Sequence, residues 1–324
     1  MRNAIAVMIC LIFFSSHSLF AKAFHLFMVG DTKDKKIGKI VEVDLKNVAE
    51  SFVYVADVCK VPLHVHKMTS HDKKFTYTHL KESLHKAHIA KDDVIIFYYS
   101  GHGCRLYETH MIWPYLFFED GVVDSAKVMK KVFLKRAALS VVLMNSCNGL
   151  ATNVLNKNIN LFRIKPFLAS QTTNNCFELF FKKCGILIAC ATKPGELAAG
   201  LLPGYKNNEL KCGGSYFTNA SLNNFFEILH SSSAEWKSIF KKIKKMCQEE
   251  VREGSQTPQY TILLGSKKKK VREYMHHLAT HCLYRRGKDS FDAPSDEEQF
   301  DEDVRKSVDF EMNIDEPRIM DQVP

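Results

Sequence analysis

Short apolar runs alternate along the chain with segments whose apolar residues recur at helical spacing. Successive apolar positions are typical of strands buried on both faces, and such runs occupy residues 24–29, 94–99, 139–144 and 185–191. Two further short strands are expected at residues 62–68 and 259–264. Helical spacing marks residues 39–58, 76–88, 123–134, 215–229, 234–251 and 267–282. Strands separated by helices predict an α/β fold, in which a mostly parallel six-stranded sheet carries helices on both faces.

The two ends of the chain differ from this alternating body. Residues 1–23 combine Arg2, an apolar run over residues 4–14 and small residues near position 23, which is the pattern of a secretory signal peptide. A first core helix or an uncleaved membrane anchor is the alternative, although a bilayer span needs about 20 apolar residues. Residues 285–324 form an acidic, non-periodic tail for which we expect disorder. The sequence therefore predicts an exported protein, periplasmic or secreted, with one domain over residues 24–284.

Charge is distributed unevenly between the body and this tail. The formal net charge is +9, but the stretch from Asp289 to Pro324 holds 13 acids and 3 bases, so the preceding residues are strongly basic. A basic body can bind an anionic surface, and lysines that are simply solvated on helix faces are the alternative. No aromatic and glycine-rich RNA-binding signature accompanies these lysines, so we expect no specific nucleic-acid partner.

The cysteines and glycines give no sign of a metal or cofactor. The chain has 10 cysteines, of which nine lie beyond the predicted signal peptide, so at least one is unpaired. They show no paired C-x-x-C spacing, and no glycine-rich loop ends in Gly-Lys-Ser or Gly-Lys-Thr. We therefore expect neither a metal site nor a bound cofactor, and most cysteines should be small buried hydrophobic residues.

Candidate chemistry lies directly after two of the predicted buried strands. The strand at residues 94–99 runs into Ser100, Gly101, His102 and Gly103, and the strand at 139–144 runs into Asn145, Ser146, Cys147, Asn148 and Gly149. Functional groups of open α/β sheets gather past the carboxyl ends of the strands. The small residues in both loops allow tight turns and close approach of a substrate.

A histidine and a cysteine in neighbouring loops are what nucleophilic catalysis by a thiol requires. A thiol near its ordinary pKa is a weak nucleophile at neutral pH, and a nearby imidazole raises the thiolate fraction. His102 can take the proton of Cys147 and later protonate the leaving amine. The backbone N–H groups of Gly103 and Cys147 are the candidate oxyanion hole.

At these residues the sequence resembles the caspase and metacaspase family of cysteine peptidases (peptidase C14 type). The resemblance is carried by DVIIFYYSGHG at Asp93–Gly103 and VVLMNSCNG at Val141–Gly149. It implies a caspase-haemoglobinase-like three-layer sandwich and hydrolysis of protein or peptide substrates through a thioester on Cys147. The separation of 45 residues between His102 and Cys147 also fits the caspase pattern, in which the histidine lies about 50 residues upstream.

The resemblance to metacaspases also implies a pocket for the substrate residue that precedes the cut bond. Asp44 and Ser100 match two pocket positions, while Asn145 stands where metacaspases often carry a second aspartate. One remaining carboxylate still favours a basic group, so the resemblance implies cleavage after Arg or Lys. Asn148 replaces a histidine that often follows the cysteine. Residues 105–113 largely lack the acids of a calcium-sensitive loop, so calcium dependence is not expected.

Two further interpretations remain at the level of sequence. A catalytically silent caspase-like binding or scaffold module is the main alternative to an enzyme, and intact Cys147 and His102 argue against it. Residues 150–183 look like an exposed connection, in which self-cleavage after Lys157, Arg163 or Lys165 is predicted. The sequence does not indicate an oligomeric state.

Overall fold

The structure is a computed structural model. It describes residues 22–105, 112–149, 172–201, 204–206, 209–211, 213–231, 234–250 and 256–265. The predicted helix at residues 267–282, the acidic tail at 285–324, the candidate cleavage sites Lys157, Arg163 and Lys165, and all but the last two residues of the predicted signal peptide lie outside the described residues. In the described ranges we find no helix with the length and hydrophobicity that a bilayer crossing requires.

Six helices and thirteen strands are assigned within the described residues. The helices are α1 (Gly38–Cys59), α2 (Tyr77–Lys86), α3 (Ser125–Phe133), α4 (Thr172–Phe181), α5 (Tyr216–Leu229) and α6 (Trp236–Glu250). The long strands are β1 (Phe24–Gly30), β2 (Leu63–Thr69), β3 (Val94–Ser100), β7 (Leu139–Asn145), β8 (Cys184–Cys190) and β13 (Gln259–Gly265). The short strands are β4 (Gly103–Cys104), β5 (Tyr115–Phe118), β6 (Gly121–Asp124), β9 (Gly200–Leu201), β10 (Gly204–Lys206), β11 (Glu209–Lys211) and β12 (Gly214–Ser215).

The six long strands form one sheet in the order β13-β8-β7-β3-β1-β2. All neighbouring pairs are parallel except β13 with β8, which are antiparallel. This sheet confirms the predicted α/β fold, because each predicted long strand is present and helices separate most of them along the chain. β3 and β7 are the two central strands and are parallel, so their carboxyl ends lie side by side at the same end of the sheet.

The central strands are buried on both faces because each face carries a separate hydrophobic core. Successive residues of β3 alternate between the two cores: Val94, Ile96 and Tyr98 pack on one side, and Ile95, Phe97 and Tyr99 on the other. The first core is covered by α1, α4, α5 and α6, and the second by α2 and α3. Burial of this extent stabilises the sheet by about 25 cal/mol for each Å² of apolar surface removed from water.

Some sequence expectations are wrong in detail. Residues 172–181, placed within an exposed connection, form α4, whose Cys176, Leu179 and Phe180 are fully buried in the first core. In β2 burial does not follow residue polarity, because His66 stacks on Phe27 with ring centroids 4.2 Å apart while Val65 is 45% exposed. A small antiparallel sheet of β4, β5 and β6 was not predicted.

The lysines of α6 lie on its outer side. The helix buries Trp236, Ile239, Phe240, Ile243 and Cys247. Lys241 and Lys245 are exposed, and Lys242 forms an ion pair with Glu227. This exposure is compatible with both sequence interpretations, solvated lysines and binding to an anionic surface, and residues 267–270 lie outside the described part of the chain.

Candidate active site

The two candidate catalytic loops begin at paired strand ends. In the parallel ladder of β3 with β7, Ser100 is the partner of Asn145. The backbone N–H of Gly101 then donates to the Asn145 carbonyl oxygen at 3.2 Å. His102 and Cys147 each lie two residues beyond this pair, so the ladder sets the position of both.

Gly103 packs closely against the loop that carries Cys147. A Cβ atom at this position would lie 2.6 Å from the Cys147 carbonyl oxygen and 2.9 Å from the Ser146 Cβ. Real Cβ atoms essentially never come so close, so the backbone contact requires glycine. The predicted oxyanion residues Gly103 and Cys147 are therefore direct neighbours.

The Cys147 side chain is partly buried. Burial raises the pKa of the Cys147 thiol, and a hydrogen bond from the Ala198 backbone N–H to Sγ, at 3.3 Å, offsets part of that effect. A thiol in this setting needs a base to become a thiolate near neutral pH. No sequence pattern indicates Ala198, because almost any residue type at this position could supply the same backbone N–H group.

The segment that carries Ala198 is hydrogen-bonded to the loop that carries Cys147. Asn148 and the 195–196 segment exchange two backbone hydrogen bonds, from Gly195 N–H to the Asn148 carbonyl and from Asn148 N–H to the Glu196 carbonyl, both at 2.9 Å. The buried Glu196 carboxylate accepts from the Thr257 backbone N–H at 2.6 Å and from its hydroxyl at 3.1 Å. Hydrogen bonds to Asn148 and to Thr257 thus hold in place the segment that leads to Ala198, whose N–H donates to Sγ.

His102 faces a carboxylate that no sequence pattern singled out. Its Nε2 lies 3.1 Å from Asp34 Oδ2, and the two side chains are 35% and 24% exposed. Burial alone would raise the pKa of Asp34. Hydrogen bonds from the backbone N–H groups of Ile37 and Lys36, together with His102, outweigh burial, so the pKa of Asp34 lies below its ordinary value. Asp34 is therefore ionised at neutral pH.

The three predicted pocket residues are brought together beneath these loops. Asp44 in α1 is fully buried; its Oδ2 accepts from Ser100 Oγ and from Asn145 Nδ2, each at 3.0 Å. Its Oδ1 accepts from the Ser215 backbone N–H at 2.8 Å. Burial raises the pKa of Asp44 to about 6 despite these hydrogen bonds.

One acceptor in this cluster has no hydrogen-bond partner among the described residues. Asn145 is 6% exposed, and its Oδ1 is buried without a donor, while its Nδ2 is used twice, on Asp44 and on Ser100 Oγ at 3.0 Å. An unpaired buried carbonyl oxygen costs about 1–3 kcal/mol. The cluster therefore contains a carboxylate and a free acceptor. Within the described ranges, no group of three or more His, Cys, Asp or Glu side chains could hold a metal ion.

Comparison with known proteins identifies the family to which this chain belongs. The caspase-domain family matches residues 39–268, so the chain belongs to this family of cysteine peptidases, whose substrates are proteins or peptides. The crystal structure of caspase-1 from Spodoptera frugiperda is similar, with a TM-score of 0.45 and 12% sequence identity over 74% of this chain and 88% of that chain. A search of curated proteins found no match.

Proposed function

We propose that this chain is an active cysteine endopeptidase in which Cys147 is the nucleophile and His102 transfers the proton. The register of β3 with β7 is the main support. Ser100 pairs with Asn145, and His102 and Cys147 each lie two residues after their member of this pair. Gly103 packs on the Cys147 backbone at the same point. Three independent requirements of thiol chemistry, namely a nucleophile, a base and close backbone donors, meet at one edge of the sheet.

The reaction proceeds in two displacements at the scissile carbonyl carbon. The Cys147 proton passes to His102, and Sγ forms a bond to the carbonyl carbon. The carbonyl oxygen becomes an oxyanion near the backbone N–H groups of Gly103 and Cys147. As the C–N bond breaks, His102 returns the proton to the leaving amine. Water, deprotonated by His102, then cleaves the thioester and restores the thiol.

Single substitutions test this assignment. Cys147→Ala should abolish hydrolysis of a fluorogenic peptide library, and His102→Ala should lower kcat/KM by about 10²–10⁴-fold, the usual contribution of a general acid–base group. Thermal unfolding should stay within a few degrees of the parent, because neither side chain is part of either core. Cys184→Ala removes another partly buried thiol and is the matched control that keeps activity.

A silent scaffold would give a different result. If the purified parent fails to cleave any member of the library while Cys147 alkylates at the rate of an ordinary buried thiol in the presence or absence of His102, the chain uses this fold for binding rather than for catalysis. Activity retained in Cys147→Ala would instead show that another residue is the nucleophile.

We further propose cleavage after Arg or Lys. The proposal is supported by the buried Asp44 carboxylate beside the unpaired Asn145 Oδ1, two acceptors suited to a guanidinium or ammonium group. The three donors already on Asp44 limit its free capacity. A basic group would therefore bind to Asn145 Oδ1 and gain attraction from the Asp44 charge.

Export by residues 1–23 is a separate proposal. It rests on the charge and apolar pattern of that segment. Periplasmic or secreted localisation follows from cleavage, and membrane anchoring follows if the segment is retained.

A further inference from the structure

Asp34 belongs to a loop that is held in place independently of His102. Its Oδ1 accepts from the backbone N–H groups of Lys36 at 2.7 Å and Ile37 at 2.9 Å, and its own carbonyl accepts from Gly38 N–H at 2.9 Å, where α1 begins. These contacts leave Oδ2 for His102 Nε2 at 3.1 Å. One oxygen of the carboxylate therefore stabilises the turn, and the other contacts the imidazole of His102.

The same loop is fastened to the end of β2 through Ser70. The Ser70 hydroxyl donates to Asp31 Oδ1 at 3.0 Å and accepts from the Lys33 backbone N–H at 2.8 Å. The His71 backbone N–H donates to Thr32 Oγ1 at 3.2 Å. The residues before Asp34 are therefore fixed to a second strand end, so the carboxylate is oriented before any substrate arrives.

We propose that Asp34 is a positioning residue that sets the tautomer of His102 and stabilises its protonated form. An ionised carboxylate can only accept hydrogen bonds, so Nε2 of His102 carries the proton. In the neutral ring this leaves the Nδ1 lone pair free to take the Cys147 proton. When that proton has moved, Asp34 lies next to the imidazolium and stabilises it. This inference rests on the proposed function of His102.

Because one oxygen of Asp34 holds the turn and the other faces His102, substitution by asparagine and substitution by alanine test different contacts. In Asp34→Asn the side-chain oxygen can keep the Lys36 and Ile37 hydrogen bonds, so the turn is preserved. The amide NH2 group then faces His102 Nε2 and acts as a donor. Nε2 must become the acceptor, which moves the proton to Nδ1 and blocks proton uptake from Cys147. Replacing the aspartate of a serine-protease triad by asparagine changes the histidine tautomer in the same way and lowers kcat about 10⁴-fold.

The experiment measures peptide hydrolysis, the rate of Cys147 alkylation by iodoacetamide at pH 7, and thermal unfolding in full-length protein. The variants are Asp34→Asn, Asp34→Ala and the control Asp72→Asn. Asp72 accepts from the Thr69 hydroxyl after β2, and its substitution also removes one negative charge. Peptide mapping by mass spectrometry assigns alkylation to Cys147 among the other cysteines.

We expect Asp34→Asn to lower kcat about 100-fold or more with little change in KM and in melting temperature, and to slow alkylation of Cys147. Asp34→Ala should lower the melting temperature as well, because the turn is lost, and Asp72→Asn should leave kcat and alkylation unchanged. A merely structural Asp34 predicts the reverse, namely an Asn variant equal to the parent in kcat and alkylation, and that result would overturn the inference.

The two proposals fail separately. If the parent cleaves peptides and the Asp34 variants cleave them equally well, the endopeptidase function stands and the positioning role is wrong. If no peptide is cleaved but alkylation of Cys147 still slows in both His102→Ala and Asp34→Asn, the coupling from Asp34 through His102 to Cys147 is supported while the proposed function fails.

Discussion

At the scale of single residues, the site depends on buried polar atoms that are shared between distant parts of the chain. Asp44 is hydrogen-bonded by the end of β3, the end of β7 and the start of α5, through Ser100, Asn145 and Ser215. Burying a carboxyl group is costly unless donors surround it. These donors reduce the cost and at the same time fix the Asn145 side chain so that Oδ1 remains free.

Asn145→Asp tests the proposed preference for basic residues. The substitution adds a second carboxylate beside Asp44, so the ratio of kcat/KM for Arg or Lys substrates to that for Leu substrates should rise about tenfold, the effect of one charged hydrogen bond. The substrate-free variant should melt at lower temperature, because two carboxyl groups about 3 Å apart repel each other when both are ionised. Asp44→Ala should lower the same ratio.

The matched control for this experiment is Asn148→Asp, in the same loop. Asn148 is buried and donates to the Ile112 carbonyl rather than to Asp44. It should lose stability without gaining preference for Arg or Lys. Preferential cleavage after Asp, unchanged by substitution of Asn145 or Asp44, would contradict the pocket while leaving Cys147 and His102 as the catalytic pair.

At the scale of elements, the edge strand β2 carries histidines that pack against β1 rather than facing water as a uniform polar row. His25 in β1 stacks on His64 with centroids 4.8 Å apart, and His66 stacks on Phe27. Burial lowers the pKa of His66, and the neighbouring His25 and His64 lower it further. The Nε2 of His66 is buried without a partner in the described chain.

His66→Phe should therefore make the fold less sensitive to acid. Because the pKa of His66 is lower in the folded state, the unfolded chain binds its proton first, and stability is lost as the pH falls below about 6.5. Phenylalanine keeps the stacking on Phe27 and removes the unpaired nitrogen. Melting temperatures at pH 7 and pH 5 should differ less in the variant than in the parent, and the value at pH 7 should be equal or higher.

His85→Phe serves as the control, since His85 is an exposed histidine in the last turn of α2. Its removal should change the difference between the melting temperatures at pH 7 and pH 5 less than the removal of the half-buried His66 does. An identical pH response of the His66 variant and the parent would show that this edge of the sheet does not take up a proton on unfolding.

At the scale of the whole molecule, the amino end of the domain is fixed by contacts that bear on processing. The Ala23 backbone N–H donates to Asp93 Oδ1 at 2.9 Å, and the Ala23 carbonyl accepts from Val94 N–H at 2.9 Å. Cleavage before Lys22 leaves both contacts intact, whereas cleavage before Phe24 removes both. We expect amino-terminal sequencing of the mature protein to give Lys22 or Phe24 first, and of the two only the Lys22 form keeps both contacts of Ala23.

An intact Met1 in the mature protein would contradict cleavage and indicate an anchor. Ala21→Arg should block processing, because signal peptidases require a small residue before the cut. Phe24 as the first residue would show that the Ala23 contacts with the domain are dispensable.

The sheet was predictable because its strands are apolar on both faces, which leaves a continuous signal in β1, β3, β7 and β8. α4 was missed since its first residues, at 172–175, are polar and lie far along a connection without clear spacing. β4 and β9 are two residues long, too short for any periodicity. The fold was therefore predictable where burial repeats over seven residues.

Only part of the candidate site was predictable from the sequence. His102 and Cys147 carry their own signal through small neighbours and strand ends, but the contact of Asp34 with His102 joins residues 68 apart. Only the strand order, with β1 beside β3, brings them together. Asp34 does follow β1, a strand buried on both faces, so a search of the loop after β1 for acids could have found it.

The strand order also has a consequence for how the chain is assembled. β1 lies inside the sheet, between β2 and β3, and β7, β8 and β13 follow β3 outward in the order of the sequence. A chain that emerges amino end first can therefore add each new strand to an open edge, without inserting one between two that have already paired. Cys147 comes next to His102 as soon as β7, the fourth long strand, pairs with β3, whereas the Ala198 donor to Sγ is added only with the residues after β8.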